Sequence, residues 1–324
     1  MGLKIIDSAK YSPERIITND ELAQTLDTSD EWISKRTGIK RRHRIGEETN
    51  AAMATRVAEA LLTKTNTAPE EVDLIVVATM SPDYQTPSVA ALVQGALVQG
   101  ALKASRAMAF DISAACSGFV YGMSVVNQML QSPNYHKALL IGSEALSRLL
   151  DWQDRSTAVL FGDSAAGVLV ENDLASSASL IAERLTTYGD LGEHLTAGNV
   201  AALTDSTQSY FFQMNGRKVY EFATNRVPES IQAVLQAAEI DAKDVKYFLL
   251  HQANARIIKS VAKRLELPIE KFPINIADYG NTAAASEPLL LAELMQEHKI
   301  QRGDIIVFSG FGGGLTIGTN VIKF

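Results

Sequence analysis

A chain of 324 residues can bury a substantial core, as one large domain or two fused smaller ones. Its 46% hydrophobic and 21% charged residues are the balance of a soluble globular protein, and a formal charge of −7 argues against a nucleic-acid binder. The most apolar stretch, 89–102, is broken by Gln94 and Gln99 and is too short to span a bilayer. One cysteine excludes an internal disulfide and fits a reducing compartment. The opening MGLKIIDSAK lacks a signal-peptide pattern, and Ile6 stands where myristoylation needs Ser or Thr. A cytoplasmic protein is expected.

In chain order, a helical pattern over 50–65 precedes apolar strand candidates at 74–79 and 106–112. A helix at 117–131 leads to strands at 138–143 and 166–171. A helix at 219–238, a strand at 247–251 and helices at 254–265 and 286–298 follow, and strands at 305–309 and 315–323 close the chain. Continuous apolar runs suit strands buried on both faces, and the alternation reads as α/β with layered sheets. A weak internal repeat adds to this. PEEVDLIVVAT is matched by DAKDVKYFLLH, HKALLIGSE by RGDIIVFSG, and FGDSAAGVLVE by FGGGLTIGTNVIKF. Such a match also arises among unrelated α/β segments. If it is a true duplication, the halves are 1–172 and 173–324, with the active site where equivalent loops converge.

Cys116 lies between a buried strand and an amphipathic helix in DISAACSGFVYGM, with small Ala114 and Gly118 on either side. Free N–H groups and the positive helix end there favour thiolate, an arrangement like the nucleophile elbow of hydrolases. A buried cysteine packing as a small hydrophobe is the competing reading. His251 closes the strand KYFLLH, where α/β folds set functional groups, although for any single one of the five histidines a satisfied core residue is the commoner case. Asn281, in DYGNTAAAS, reads by itself as a turn residue. FSGFGGGLTIG is no dinucleotide fingerprint, because Ile317 takes the third glycine position and a strand follows. It suits a tight hairpin or backbone N–H groups facing a ligand oxygen. Gly95 and Gly100 have P-loop spacing, but Ala101 and Leu102 replace Lys and Ser/Thr. No paired Cys/His spacing suggests a metal.

Taken together, AACSGF, LLHQANARI, YGNTAAAS and FGGGLTIG, in this order and with DEWISKRTGI upstream, resemble the β-ketoacyl-acyl-carrier-protein synthase III family of the thiolase superfamily over essentially the whole chain. Elongating ketoacyl synthases carry a second His at the Asn281 position. Thiolases need a second reactive cysteine, and chalcone-synthase-like enzymes lack DEWI…RTGI. The resemblance implies a five-layered αβαβα fold from two duplicated halves, paired as a homodimer. It implies that Cys116 is acylated by a short acyl-CoA such as acetyl-CoA, and that His251 and Asn281 hold malonyl-acyl-carrier protein during decarboxylation. The Cys116 and Gly313 N–H groups would form an oxyanion hole, with no metal or organic cofactor.

CoA recognition then maps onto Thr28, Trp32, Arg36 and Arg155, with adenine between flat indole and guanidinium faces. Carrier-protein binding maps onto Gln252, Ala253, Asn254, Ala255, Arg256, Lys259, Lys263 and Arg264, whose cations form a basic stripe on an acidic chain. Thr86 corresponds to an acyl-pocket position that reaches across the dimer. Two departures stand out: Ser164 and Ala166 replace glycines of the family's FGDGAG, putting close backbone packing in doubt, and Ala283 replaces a commoner Ser. A catalytically silent partner subunit, a CoA-binding module and a secondary-metabolite relative are the rival readings.

Overall fold

In the computed structural model, residues 2–99 and 106–324 are described; Gly100, Ala101 and Leu102 of the rejected P-loop spacing lie outside them. Strands β1 (Leu3–Tyr11), β2 (Leu74–Ala78), β3 (Met108–Ile112), β4 (Lys137–Glu144) and β5 (Ser164–Asn172) form one sheet, in the order β1-β5-β4-β2-β3. Strands β6 (Ser179–Thr187), β7 (Val245–Leu250), β8 (Ile305–Gly312) and β9 (Thr316–Lys323) form another, in the order β7-β8-β9-β6. In the first, β2 and β4 are parallel, and β4–β5 and β5–β1 antiparallel. The second repeats this as β7–β8 parallel, then β8–β9 and β9–β6 antiparallel.

The helices used below are α1 (Asp30–Thr37), α2 (Asn50–Thr65), α3 (Val89–Gln99), α4 (Gly118–Met129), α5 (Gly216–Ala238), α6 (Ala255–Arg264) and α7 (Ser286–Gln296). Successive strand residues point to opposite faces, so an all-apolar strand serves two cores. In β2, Ile75 and Val77 pack with α2 and α3, whereas Leu74 and Val76 face α4 and α7. The inner core also takes Leu249, Ile306, Phe308 and Ile322 from the second sheet, whose other face packs Phe248, Leu250 and Val307 on α5 and α6. The result is five layers, helix–sheet–helix–sheet–helix. Each aliphatic side chain fully buried in them contributes about 1.5–3 kcal/mol relative to exposure.

Strands β1 and β6 are absent from the sequence-based candidates, and both are edge strands. A register shift between Ile5 and Asp7 breaks the alternation of β1, and β6 exposes Glu183 and Arg184. Helices α1 and α3 were likewise not anticipated. Helix α1 is short, and α3 lies in the apolar stretch, which carries no polar face to mark helical periodicity. Strand β8 outlasts its expected end because Phe311 and Gly312 pair with Ile317 and Thr316. Among the described residues no helix is long and apolar enough to cross a membrane.

The layers approach most closely where glycine removes the side chain. A Cβ on Gly142 in β4 would lie 2.1 Å from the carbonyl oxygen of Ala284, in the turn before α7. Gly142→Ala is therefore expected to lower the thermal midpoint, with overpacking of about 1–3 kcal/mol or more, since backbone cannot step aside as a side chain can. An unchanged melting curve would show that the 283–285 turn has room to retreat.

Candidate active site

Beyond β3 the chain turns sharply through Ala115–Ser117 into α4, holding Ala115 at φ 46°. A left-handed alanine is costly and marks a turn held by its surroundings, as in a strand–nucleophile–helix elbow. Ser117 Oγ donates to Ala114 O at 2.8 Å and lies 2.6 Å from Thr316 Oγ1, which ties the elbow to β9. Ser117 provides no side-chain cap, so the first N–H groups of α4 have no side-chain partner there. The glycine turn approaches from the other side. A Cβ on Gly312 would sit 2.8 Å from Cys116 N and 3.1 Å from Cys116 Sγ.

Cys116 thus occupies the helix start expected of it, but the expected preference for thiolate is reversed. It is 4% exposed among Leu146, Leu149, Phe161 and Phe212, and burial pushes its thiol above the ordinary range. Desolvation outweighs the helix end, so the sulfur rests as a thiol. The nearby carboxyls add to this rise only when ionised. Burial raises Glu144 to about 8, despite hydrogen bonds from Ser81 and Met80, and raises Glu287 well above the usual range.

His251 follows β7 directly, its N–H donating to Ser309 O at 2.9 Å and its ring edge-on to Phe311, 5.1 Å between centroids. Burial pushes its pKa down to about 3, so the imidazole is neutral at physiological pH. Nδ1 lies 3.2 Å from Ser286 Oγ. Asn281 is clamped through its backbone: its N–H donates to Leu160 O at 2.9 Å, and Gly162 N–H donates to its carbonyl at 3.0 Å. Its Oδ1 accepts from Ala283 N–H at 2.9 Å, which leaves Nδ2 as the donor for a ligand. Isolated turn reading missed this, because the partner segment around Phe161 is more than a hundred residues away in the chain.

A cavity of about 320 Å³ is lined by Cys116, His251, Asn281 and Gly313, and also by Trp32 and Arg36. The guanidinium carbons of Arg36 and Arg155 lie 4.5 and 5.0 Å from the Trp32 ring centroid. Arg155 is tied to Asp27 O at 2.6 Å and, like Thr28, does not line the cavity; Thr28 Oγ1 is buried without a hydrogen-bond partner among the described residues. Asn254 lines the cavity and caps α6, accepting from Arg256 N–H at 2.8 Å, and Ala253 lines it too. Arg256, Lys259, Lys263 and Arg264 are exposed on α6, so the basic stripe begins beside the cavity mouth. Gln252 and Ala255 do not belong to that surface. Both are buried, and Gln252 spends its amide on Leu250 O and Asn275 N–H. Thr86 is exposed and lines no part of its own chain's cavity.

The apolar wall was invisible in the sequence. Phe212, from an irregular loop, stacks on Phe161 at 4.2 Å, and Met80 and Leu195 join them. The doubt over Ser164 and Ala166 resolves into ordinary packing. Ser164 Oγ donates to Tyr11 O at 2.9 Å, and Ala166 pairs with Lys10 and Gly142. The retained Gly162 is where space is short, since a Cβ there would lie 2.2 Å from Tyr279 O.

The family model for 3-oxoacyl-[acyl-carrier-protein] synthase III matches residues 110–189, and that for its C-terminal region matches 235–324. A protein of Lactobacillus helveticus named β-ketoacyl-[acyl-carrier-protein] synthase III is 53% identical, over 99% of this chain and 98% of its own. One of the same name from Levilactobacillus brevis is 50% identical over 100% and 99%. Among solved structures, the 3-oxoacyl-[acyl-carrier-protein] synthase III of Aquifex aeolicus superposes with a TM-score of 0.92 at 42% identity, covering 100% of both chains. The Pseudomonas aeruginosa enzyme gives 0.91 at 36%, covering 100% of this chain and 98% of that one. With this identity along its whole length, the thiolase-like layers and a cysteine at the elbow, the chain belongs to the β-ketoacyl-acyl-carrier-protein synthase III family of condensing acyltransferases.

Proposed function

We propose that the chain starts fatty-acid synthesis by joining a short acyl-CoA to malonyl-acyl-carrier protein through an acyl-Cys116 intermediate. The observation that carries this is the convergence of Cys116, from one sheet–helix half, with His251 and Asn281, from the other, on one cavity. In the first step the Cys116 sulfur forms a thioester and the CoA sulfur leaves, taking up the thiol proton. In the second, malonyl-carrier protein loses carbon dioxide, and the resulting enolate carbon attacks acyl-Cys116, restoring the cysteine. His251 and Asn281 donate to the oxygen on which enolate charge develops, and the Cys116 and Gly313 N–H groups hold the tetrahedral oxyanion. Neither step draws on a metal or an organic cofactor.

In this reading Trp32, Arg36 and Arg155 grip the CoA adenine, with Thr28 beside them, and Arg155 gives up part of its stacking to admit it. The cations of α6, with Ala253 and Asn254 at the mouth, receive the carrier protein. Residues 1–172 form the half that supplies the nucleophile, and 173–324 the half that supplies the donors. The enzyme works as a cytoplasmic homodimer in which Thr86 closes the partner's acyl pocket.

The half-reactions separate these roles. Cys116→Ser is expected to abolish both acylation from radiolabelled acetyl-CoA and condensation, since an unassisted hydroxyl is a poor nucleophile. His251→Ala and Asn281→Ala are expected to acylate nearly normally but to lose decarboxylation by about 3 kcal/mol each, on the order of a hundredfold. Equal loss of acylation in all three variants would refute the assignment. Because His251 is neutral down to a pKa of about 3, the decarboxylation rate should show no limb near pH 6.5 from this residue. The unfolded chain protonates first, so this histidine's contribution to stability falls as pH drops from 6.5 toward 3.

Arg256→Glu with Lys263→Glu should raise KM for malonyl-carrier protein roughly five- to tenfold, while KM for acetyl-CoA stays put, and added salt should weaken the wild type in the same direction. Parallel losses for both substrates would point to misfolding. For Thr86, wild type should accept butyryl- and isobutyryl-CoA, gaining about 0.8 kcal/mol per buried methylene. Thr86→Phe should lose these primers selectively and keep acetyl-CoA. Identical selectivity would remove Thr86 from the pocket.

A further inference from the structure

A neutral imidazole carries one hydrogen, and the partner of one ring nitrogen decides what the other presents. In His251, Nδ1 faces Ser286 Oγ at 3.2 Å, and that oxygen in turn faces Thr282 Oγ1 at 3.2 Å. All three residues are buried, each 1% exposed. Among the described residues, no backbone group bonds to Nδ1. The two hydroxyls are therefore what governs the ring.

Each hydroxyl has one hydrogen to give and lone pairs with which to accept. With Thr282 donating to Ser286, the Ser286 hydrogen is left for Nδ1. Every donor is then used once, and Nε2 carries the hydrogen that faces the cavity. Running the chain the other way puts the hydrogen on Nδ1 and leaves a lone pair on Nε2, the wrong end for a thioester oxygen gaining negative charge. Ser286 also opens α7, directly after the 283–285 turn that packs on Gly142, so its backbone is held in place.

We propose that Ser286 is a positioning residue that, backed by Thr282, fixes His251 with its hydrogen on Nε2 and so supplies the decarboxylation step with its histidine donor. This rests on the role given to His251 above.

The test uses the full-length protein labelled with ¹⁵N-histidine, the His251 signals being assigned by their loss in His251→Ala. Wild type should show Nδ1 as the nitrogen without hydrogen. Ser286→Ala should move the signals toward a mixture of tautomers. Its decarboxylation rate should fall about ten- to a hundredfold, the scale set by one orphaned buried nitrogen, with KM for malonyl-carrier protein little changed. Acylation of Cys116 should persist, which shows that the variant is folded. Thr282→Val, which keeps the shape and deletes the second hydroxyl, should show a smaller loss in the same direction. A wild-type signal with hydrogen on Nδ1, or a Ser286→Ala variant with unchanged tautomer and rate, overturns the proposal. Retained decarboxylation in His251→Ala would overturn the histidine role itself, and this proposal with it.

Discussion

Two backbone hydrogen bonds hold the site together: Asn281 N–H to Leu160 O, and Gly162 N–H to Asn281 O. They pair a segment that runs into β5 with one that runs into α7, across the line between the two sheet–helix units. A side chain can change rotamer, whereas paired backbone hydrogen bonds hold two segments at a set donor–acceptor distance. With Ala283 N–H also holding its Oδ1, the Asn281 donor is fixed relative to Phe161 and the cavity wall before any substrate arrives. The glycines at 142, 162 and 312 belong to the same constraint, since each lets backbone approach where a methyl group would intrude.

Burial then does two things at once. It keeps Cys116 as a thiol and His251 neutral, so the cavity wall around these two residues carries little charge of its own, and the cation Arg36 stands with Trp32 in another part of the lining. In such surroundings a hydrogen bond to developing charge is worth more than in water, which suits a decarboxylation driven by donors rather than by a cation. The cost falls on stability. Glu287 is fully buried, and neither of its oxygens has a hydrogen-bond partner in the described residues. With its folded pKa raised, folding is disfavoured progressively as pH climbs above the ordinary carboxylate value of 4.5.

The sequence made the interior strands and the helix around Cys116 legible, because fully buried strands write themselves as apolar runs and a helix leading from small residues has its own pattern. Edge strands β1 and β6 were hidden for the opposite reason: a bulge and an exposed face erase the period. Cys116, His251 and Asn281 were each ambiguous alone and persuasive only as an ordered set of motifs. The ionisation of the cysteine was misjudged because a helix end is visible in sequence but the depth of burial is not. Ser286 and Phe212 escaped notice for a related reason, since their partners, His251 and Phe161, lie tens of residues away in the chain and meet them only through the fold.

The duplicated topology explains why a scaffold of two similar units carries one nucleophile. The elbow at Ala115–Ser117 before α4 has a twin at Ala283–Ala285 before α7, each a single tight turn opened by an alanine in the left-handed region, at φ 46° and 41°. Each elbow packs against the glycine at the same place in the other unit's parallel-paired strand. Ala284 O sits against Gly142 in β4, and Cys116 O and Ser117 Cα sit against Gly310 in β8. By this correspondence Ala284 stands where Cys116 would be. Left without a nucleophile, the second elbow serves the first. Its preceding residues include Asn281, and the helix that it opens begins with Ser286, which holds the ring of His251. One elbow keeps the reactive sulfur and the other mounts Asn281 and the Ser286 that holds His251, so the asymmetry of the chemistry lies in which side chains two similar turns carry.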